Sequence, residues 1–192
     1  YKKKPSYIVA VTGTNGKTSV ASFFFQLFKL NKIRAASIGT LGITSDLFKK
    51  TNNLTSPDPL LLHKNLSEFK KKGINIAILE ASSHGLDQKR LDHVNFKAAA
   101  FTNLSRDHLD YHKSMKNYLN SKLYLFNNLL NKKTSCITDK GNFFFKKLEK
   151  ISKRRRININ SIGYGCGNLK ILGQKYKKDF QEIDFLYNNK TY

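Results

Sequence analysis

The chain has 192 residues, enough for one well-buried domain and too few for two full ones. Hydrophobic residues make up 40% and charged residues 25%, which excludes a disordered chain. The apolar runs all fall far short of the roughly 18 residues that a membrane-spanning helix needs, so no membrane insertion is expected.

Lys and Arg number 35 against 13 Asp and Glu, a formal net charge of +22. Such a balance raises nucleic acid as a partner, and it steers anionic ligands toward the surface. The lysines, however, are scattered through Lys49-Lys50, Lys70-Lys71-Lys72, Lys132-Lys133 and Lys146-Lys147, and only Lys153-Arg154-Arg155-Arg156 is dense. They read as solvated surface, and neither a stacking-aromatic nor a helix-turn-helix signature accompanies them. Cys136 and Cys166 are too few for a disulfide framework or a four-cysteine zinc site, so both are expected as reduced thiols of a cytoplasmic protein. The basic start, Tyr1-Lys2-Lys3-Lys4-Pro5, leads into a strand-like run and lacks the form of a signal peptide. With no initiator Met, the chain reads as a piece of something longer.

In chain order, residues 7–12 are a short apolar run ending at a glycine-bearing turn, which predicts a buried strand. Val20, Phe24, Leu27 and Phe28 carry helical spacing through 19–30, and 33–38 reads as a second strand. Residues 40–53 are expected as a loop with at most a short extended segment. Pro57-Asp58-Pro59 opens a helix that Gly73 stops. Strands are predicted at 75–80, 97–102 and 135–138, and helices at 114–130 and 142–151. Residues 169–172 and 183–187 read as two antiparallel strands. Strands alternating with helices predict an α/β fold with a doubly wound, mostly parallel sheet, plus a small antiparallel β segment near the C-terminus.

Thr12-Gly13-Thr14-Asn15-Gly16-Lys17-Thr18 lies between the first strand and the first helix. Its glycines permit a tight turn in which successive N–H groups face a phosphate, and the helix adds its positive dipole end. Lys17 can reach outer phosphates, and the Thr18 hydroxyl can bind Mg²⁺. Val11 stands where the longer phosphate-loop pattern has a further glycine, so this is a shorter variant. Gly13 to Ser19 are thus the candidate nucleotide-binding residues: Gly13, Thr14, Asn15, Gly16, Lys17, Thr18 and Ser19. Two more polar clusters follow at predicted strand ends, where open α/β sheets bind ligands. Glu80 closes one strand in a carboxylate able to hold Mg²⁺. Asp107, His108, Asp110 and His112 crowd the other and suit a second cation or an acyl phosphate.

Four segments together resemble the ATP-dependent Mur ligases of peptidoglycan synthesis, and within them the enzymes that add the third amino acid. They are the phosphate loop; Thr55-Ser56-Pro57-Asp58-Pro59; Glu80-Ala81-Ser82-Ser83-His84-Gly85-Leu86-Asp87-Gln88-Lys89-Arg90; and Phe101-Thr102-Asn103-Leu104-Ser105-Arg106-Asp107-His108-Leu109-Asp110-Tyr111-His112. The first is shared with folylpolyglutamate synthetases, and the other three are more specific.

The resemblance implies ATP and Mg²⁺ as cofactors, and UDP-N-acetylmuramoyl-L-alanyl-D-glutamate plus an amino acid, diaminopimelate or lysine, as partners. Lys17 would neutralise the γ-phosphate. Thr18 and Glu80 would hold one Mg²⁺, and His108 would contribute to a second. Lys122 matches a lysine that is carbamylated in the family and so becomes an anionic metal ligand. Thr55, Ser56, Ser82, Gln88 and Arg90 match substrate-binding positions. Leu54 stands where the family often has Asn, and Thr55-Ser56 where it commonly has two threonines.

The resemblance further implies that residues 1–192 are a central ATP-binding domain, incomplete at its end. The N-terminal UDP-binding and C-terminal amino-acid-binding domains would be absent, and a monomer with little activity by itself is expected. Two alternatives stay open: a folylpolyglutamate- or cyanophycin-type ligase, and a basic nucleotide-dependent nucleic-acid-binding module. Steep salt dependence of tight binding to random DNA would mark the latter.

Overall fold

The computed structural model describes residues 3–51 and 54–192; Tyr1-Lys2 of the basic start and residues 52–53 of the expected loop lie outside them. The described strands form one sheet in the order β11-β10-β9-β8-β7-β6-β1-β5-β2-β3-β4. Its centre is β1 (Tyr7–Thr12), flanked in parallel by β5 (Ile76–Glu80) and β6 (Phe96–Phe101). The chain leaves β1 through α1 (Lys17–Leu30) to β2 (Ala35–Gly39) on the far side of β5. It later builds β6, β7 (Leu130–Asp139) and β8 (Asn158–Tyr164) on the other side. The order therefore reverses at β1, and a crevice opens beyond the carboxyl ends of β5, β1 and β6.

Both faces of β1 are buried, which is why its run is apolar without alternation. Ile8 and Ala10 face the larger core, under α2 (Pro59–Lys71), α5 (Met115–Tyr124) and α6 (Phe145–Arg155). Val9 and Val11 face a smaller one with Ala21 and Phe24 of α1. The two-faced wrapping expected from the sequence is thus present but unequal. Beyond β6 the second face opens to solvent, as at Ile137 of β7, which pairs with Ala100 and is 38% exposed.

α2 opens at Pro57-Asp58-Pro59 as read from the sequence, and the Asp58 side chain caps it, accepting the Leu61 N–H at 3.0 Å. Other expectations are corrected. The 40–53 loop contains β3 (Gly42–Ser45), which returns antiparallel to β2, and β4 (Lys49–Lys50). The helix expected over 114–130 stops at Tyr124, turns through a π-helical segment, Leu125–Leu129, and enters β7 early. Two short helices, α3 (Ser83–Asp87) and α4 (Leu109–His112), occupy the strand-end motifs. β8, unforeseen, pairs in parallel with β9 (Leu169–Tyr176) across a short fold-back in which Gly165 and Gly167 take positive φ. The expected antiparallel pair is β9 with β10 (Gln181–Tyr187), and β11 (Lys190–Thr191) follows. No described helix is long and apolar enough to cross a membrane.

Candidate functional site

The phosphate loop is fixed from two sides before any ligand arrives. Gly13 has φ +151, and a Cβ there would fall 1.9 Å from Thr102 Oγ1, so only glycine lets the loop lie against β6's end. Asn103 clamps the next turn: its carbonyl accepts the Thr14 N–H at 2.9 Å, and its Oδ1 accepts the Asn15 N–H at 2.9 Å. Gly16, in the left-handed region, precedes α1 without a side-chain cap. The first-turn N–H groups of α1 thus have no side-chain acceptor, the arrangement that favours an anion.

Lys17 Nζ folds back to donate to the carbonyls of Gly13 at 2.9 Å and Thr14 at 2.7 Å. Desolvation lowers its pKa, against the opposing pull of Glu80 and Asp107. Glu80 is 2% exposed and is held by three donors. The Thr18 hydroxyl reaches Oε2 at 2.8 Å, the Thr40 N–H reaches Oε1 at 3.0 Å, and the Thr40 hydroxyl reaches Oε2 at 3.2 Å. Gly39 makes room for that carboxylate, since a Cβ there would lie 2.0 Å from Glu80 Oε1. Gly39→Ala is therefore expected to push the carboxylate away from Thr18 and Thr40 and to destabilise the fold by about 1–3 kcal/mol, measurable as a lower melting temperature.

Lys122, 1% exposed, projects from α5 and donates to the Gly13 carbonyl at 2.8 Å. Its ammonium sits 4.5 Å from the Tyr118 ring centroid, one helical turn back. Burial, then the nearby Lys17 charge, lowers its pKa to about 7, with Asp107 pulling the other way. A lysine midway along a helix has no local signal for burial, yet the fold buries this one. His108 takes φ 51 at the start of α4, its Nε2 3.4 Å from Asp107 Oδ2. His84 packs edge-on against it, with ring centroids 4.9 Å apart.

The acceptor-side residues join the same surface. Ser56 is 1% exposed, and its hydroxyl donates to the Glu80 carbonyl at 2.9 Å while accepting the Ser82 N–H at 3.0 Å. Arg90 Nη1 donates to the Ser56 carbonyl at 3.1 Å, and Nη2 to Gln88 Oε1. One cleft of about 460 Å³ is lined by Lys17, Thr18, Thr55, Ser56, Ser82, Arg90, His108 and Lys122, among others. Glu80 stands behind Thr18. Gln88 is turned aside, its Nε2 3.2 Å from the Tyr111 hydroxyl, and Gly13 is covered by Thr102. Thr14, Asn15, Gly16 and Ser19 complete the loop side of the cleft.

Five lining residues had no role assigned from sequence: Thr40, Leu54, Ser83, His84 and Tyr118. Tyr118 was legible in principle, being four residues before Lys122 on one helix face. Thr40 was not, because a hairpin too short to show a period places it.

A reversal-point crevice with a short phosphate loop, a buried carboxylate, a buried Lys122 and a half-buried Lys17 defines a phosphate-loop α/β domain. The chain belongs to the family described as Mur ligase middle domain, which matches residues 11–192. It is 53% identical over 137 residues to the UDP-N-acetylmuramoyl-L-alanyl-D-glutamate–2,6-diaminopimelate ligase of Brucella melitensis biotype 1, covering 71% of this chain and 28% of that protein. It is 40% identical over 196 residues to the ligase of the same name from Rickettsia bellii, covering 100% of this chain and 41% of that protein. A solved structure of a ligase so named superposes with a TM-score of 0.88 at 29% identity, over 99% of this chain and 39% of that one. The MurF ligase from Thermotoga maritima in complex with ADP shares the fold, with a TM-score of 0.75 at 18% identity over 98% of this chain and 40% of that one. The chain thus spans well under half the length of these relatives.

Proposed function

We propose that this chain is the ATP-binding middle domain of a ligase that adds diaminopimelate to UDP-N-acetylmuramoyl-L-alanyl-D-glutamate in the cytoplasm. The convergence of the phosphate loop, Glu80, His108 and Lys122 with Thr55, Ser82 and Arg90 on one cleft carries this reading. Relatives named as diaminopimelate ligases favour that amino acid over lysine. The ADP of the MurF complex, and the loop's own uncapped helix start, support ATP as the nucleotide.

In the reaction, a substrate carboxylate oxygen bonds to the γ-phosphorus as the bond to the β-phosphate oxygen breaks, giving an acyl phosphate and ADP. The amine of the amino acid then attacks the acyl carbon, loses a proton, and expels phosphate. Two anions must meet, so positive charge is the first requirement. Lys17 would leave the loop carbonyls and swing to the phosphates. The first-turn N–H groups of α1 would receive phosphate oxygens. Arg90 would take a carboxylate or phosphate of the acceptor in a charge-assisted pair.

Among the described residues no three His, Cys, Asp or Glu side chains cluster as a metal cage. Mg²⁺ needs none here, since it keeps waters and substrate phosphates and takes only one or two protein oxygens. Thr18 Oγ1 and Glu80 Oε2, 2.8 Å apart, fit that demand, with His108 and a carbamylated Lys122 as the candidates for a second ion. When bound, the metal supplies charge neutralisation of the phosphates.

The test is ADP release by the full-length protein that carries this chain. Release should require ATP, the UDP-linked dipeptide and diaminopimelate together. Release that is indifferent to the dipeptide, or faster with lysine than with diaminopimelate, would overturn the assignment.

A further inference from the structure

We propose that Thr40 is a positioning residue that couples the acceptor loop at Thr55 to the carboxylate of Glu80. The inference rests on the reading of the cleft as a Mg²⁺- and ATP-dependent ligase site, and goes beyond it by naming a link between its two halves.

The geometry is set by the tight return from β2 to β3. Gly39 and Gly42 pair across the sheet, which leaves Thr40 at the turn with its N–H and hydroxyl on the same side as Glu80. The Thr40 hydroxyl lies 3.2 Å from Glu80 Oε2 and 3.0 Å from Thr55 Oγ1. It has one proton. An ionised carboxylate only accepts, so that proton goes to Glu80, and the contact with Thr55 runs with Thr55 as donor.

The direction is therefore fixed: Thr55 to Thr40 to Glu80. A second relay runs beside it. The Ser56 hydroxyl has one proton and gives it to the Glu80 carbonyl, so the 3.0 Å contact between the Ser82 and Ser56 hydroxyls runs from Ser82 to Ser56. Ser56 then donates to the Glu80 carbonyl at 2.9 Å. Both hydroxyls of the 55–56 segment thus lead to Glu80, Thr55 through Thr40 to its carboxylate and Ser56 directly to its backbone carbonyl. Hydrogen bonds in a chain polarise one another, so what binds at Thr55 changes how firmly Thr40 holds the carboxylate. Thr55 also keeps lone pairs for the ligand. The group it meets is an N–H or O–H of the acceptor, and anionic groups are left to Arg90.

The test uses the full-length protein that carries this chain, with Thr40→Val, Thr40→Ser, Thr55→Val and the double valine variant. The first readout is the Mg²⁺ concentration at half-maximal binding of a fluorescent ADP analogue, with no acceptor present. Thr40→Val should raise it roughly tenfold, the loss expected for a hydrogen bond to a charged group, while Thr40→Ser stays near wild type. Thr55→Val touches no carboxylate, yet it should raise the Mg²⁺ midpoint in the wild-type background and not in the Thr40→Val background. The second readout is the KM for the UDP-linked dipeptide, which should rise in both single variants.

A Thr40→Val protein that melts as wild type and keeps its Mg²⁺ midpoint overturns the proposal alone. So does a Thr55→Val shift of equal size in both backgrounds. Wild-type nucleotide binding that is indifferent to Mg²⁺ would overturn the site reading along with it.

Discussion

Glu80→Gln should lower the turnover of the protein that carries this chain roughly a thousandfold while leaving its melting temperature almost unchanged. The two halves of that expectation have different physical origins. Structurally, glutamine has the same size and keeps one carbonyl oxygen. That oxygen can accept the Thr40 N–H where Oε1 now does, at 3.0 Å. The amide NH₂ then meets the Thr18 and Thr40 hydroxyls, and each can rotate to accept instead of donate. The network is reversed without being left unsatisfied. The substitution also removes a carboxylate that is 2% exposed, and replacing a buried charge by a neutral isostere is often neutral or mildly favourable for stability.

Chemically, the loss is severe. Glu80 is the buried carboxylate at the end of β5, beside the Thr18 hydroxyl, and its charge attracts Lys17 and would anchor the proposed divalent cation. With a neutral amide the cation loses its anchoring charge, and Lys17 loses the attraction that opposes its desolvation. Parallel measurement of ADP release and thermal unfolding separates the two effects. A variant that keeps more than a tenth of its turnover would show that the carboxylate does not hold the cation. One that unfolds would show that it is structural.

The sequence exposed the site's poles better than the links between them. The phosphate loop was legible because its chemistry and its context coincide: an apolar run, a turn that needs glycine, and an amphipathic helix. Glu80 and the 101–112 segment were legible for the same reason, as polar residues where buried strands stop. Thr40 was hidden because nothing local marks it. Its position depends on β3, whose residues Gly42-Ile43-Thr44-Ser45 are too few to carry alternation.

The helix over 114–130 was read too long because Leu125, Phe126, Leu129 and Leu130 satisfy helical spacing and are needed by the core in any case. The chain buries Leu125, Phe126 and Leu130 by widening into a π turn and then extending. β8 was missed because Asn158 and Asn160 alternate with Ile159 on a sheet with one open face, where polar residues suit the solvent side. Burial of Lys122 was likewise invisible locally. It requires β6, the phosphate loop and α5 to close over one side chain.

That burial makes Lys122 the residue whose protonation should be most visible in assays. With its pKa at about 7 instead of the ordinary 10.5, much of it is a neutral amine at physiological pH. A neutral amine can attack CO₂: the N–C bond forms, one proton leaves, and the ammonium site becomes a carbamate anion. The neutral fraction of the amine rises roughly tenfold between pH 6 and pH 8 for a group titrating at about 7. At fixed dissolved CO₂, activity and a carbamate signal in ¹³C NMR with labelled bicarbonate should rise together across that window.

Stability should move in the same direction. The unfolded chain holds this proton up to about 10.5 and the folded chain only up to about 7, so the unfolded state binds more protons between those values and stability climbs with pH there. Lys122→Met removes both effects. It keeps the length of an apolar stem beside Tyr118, avoids burying a charge, and so should melt higher than wild type below pH 7. Its turnover should fall by roughly a thousandfold, because neither a cation nor a carbamate remains at the end of α5. Full turnover in CO₂-stripped buffer, with no ¹³C carbamate resonance in wild type, would assign Lys122 to holding the Gly13 carbonyl in place and would leave the second cation without its anionic ligand.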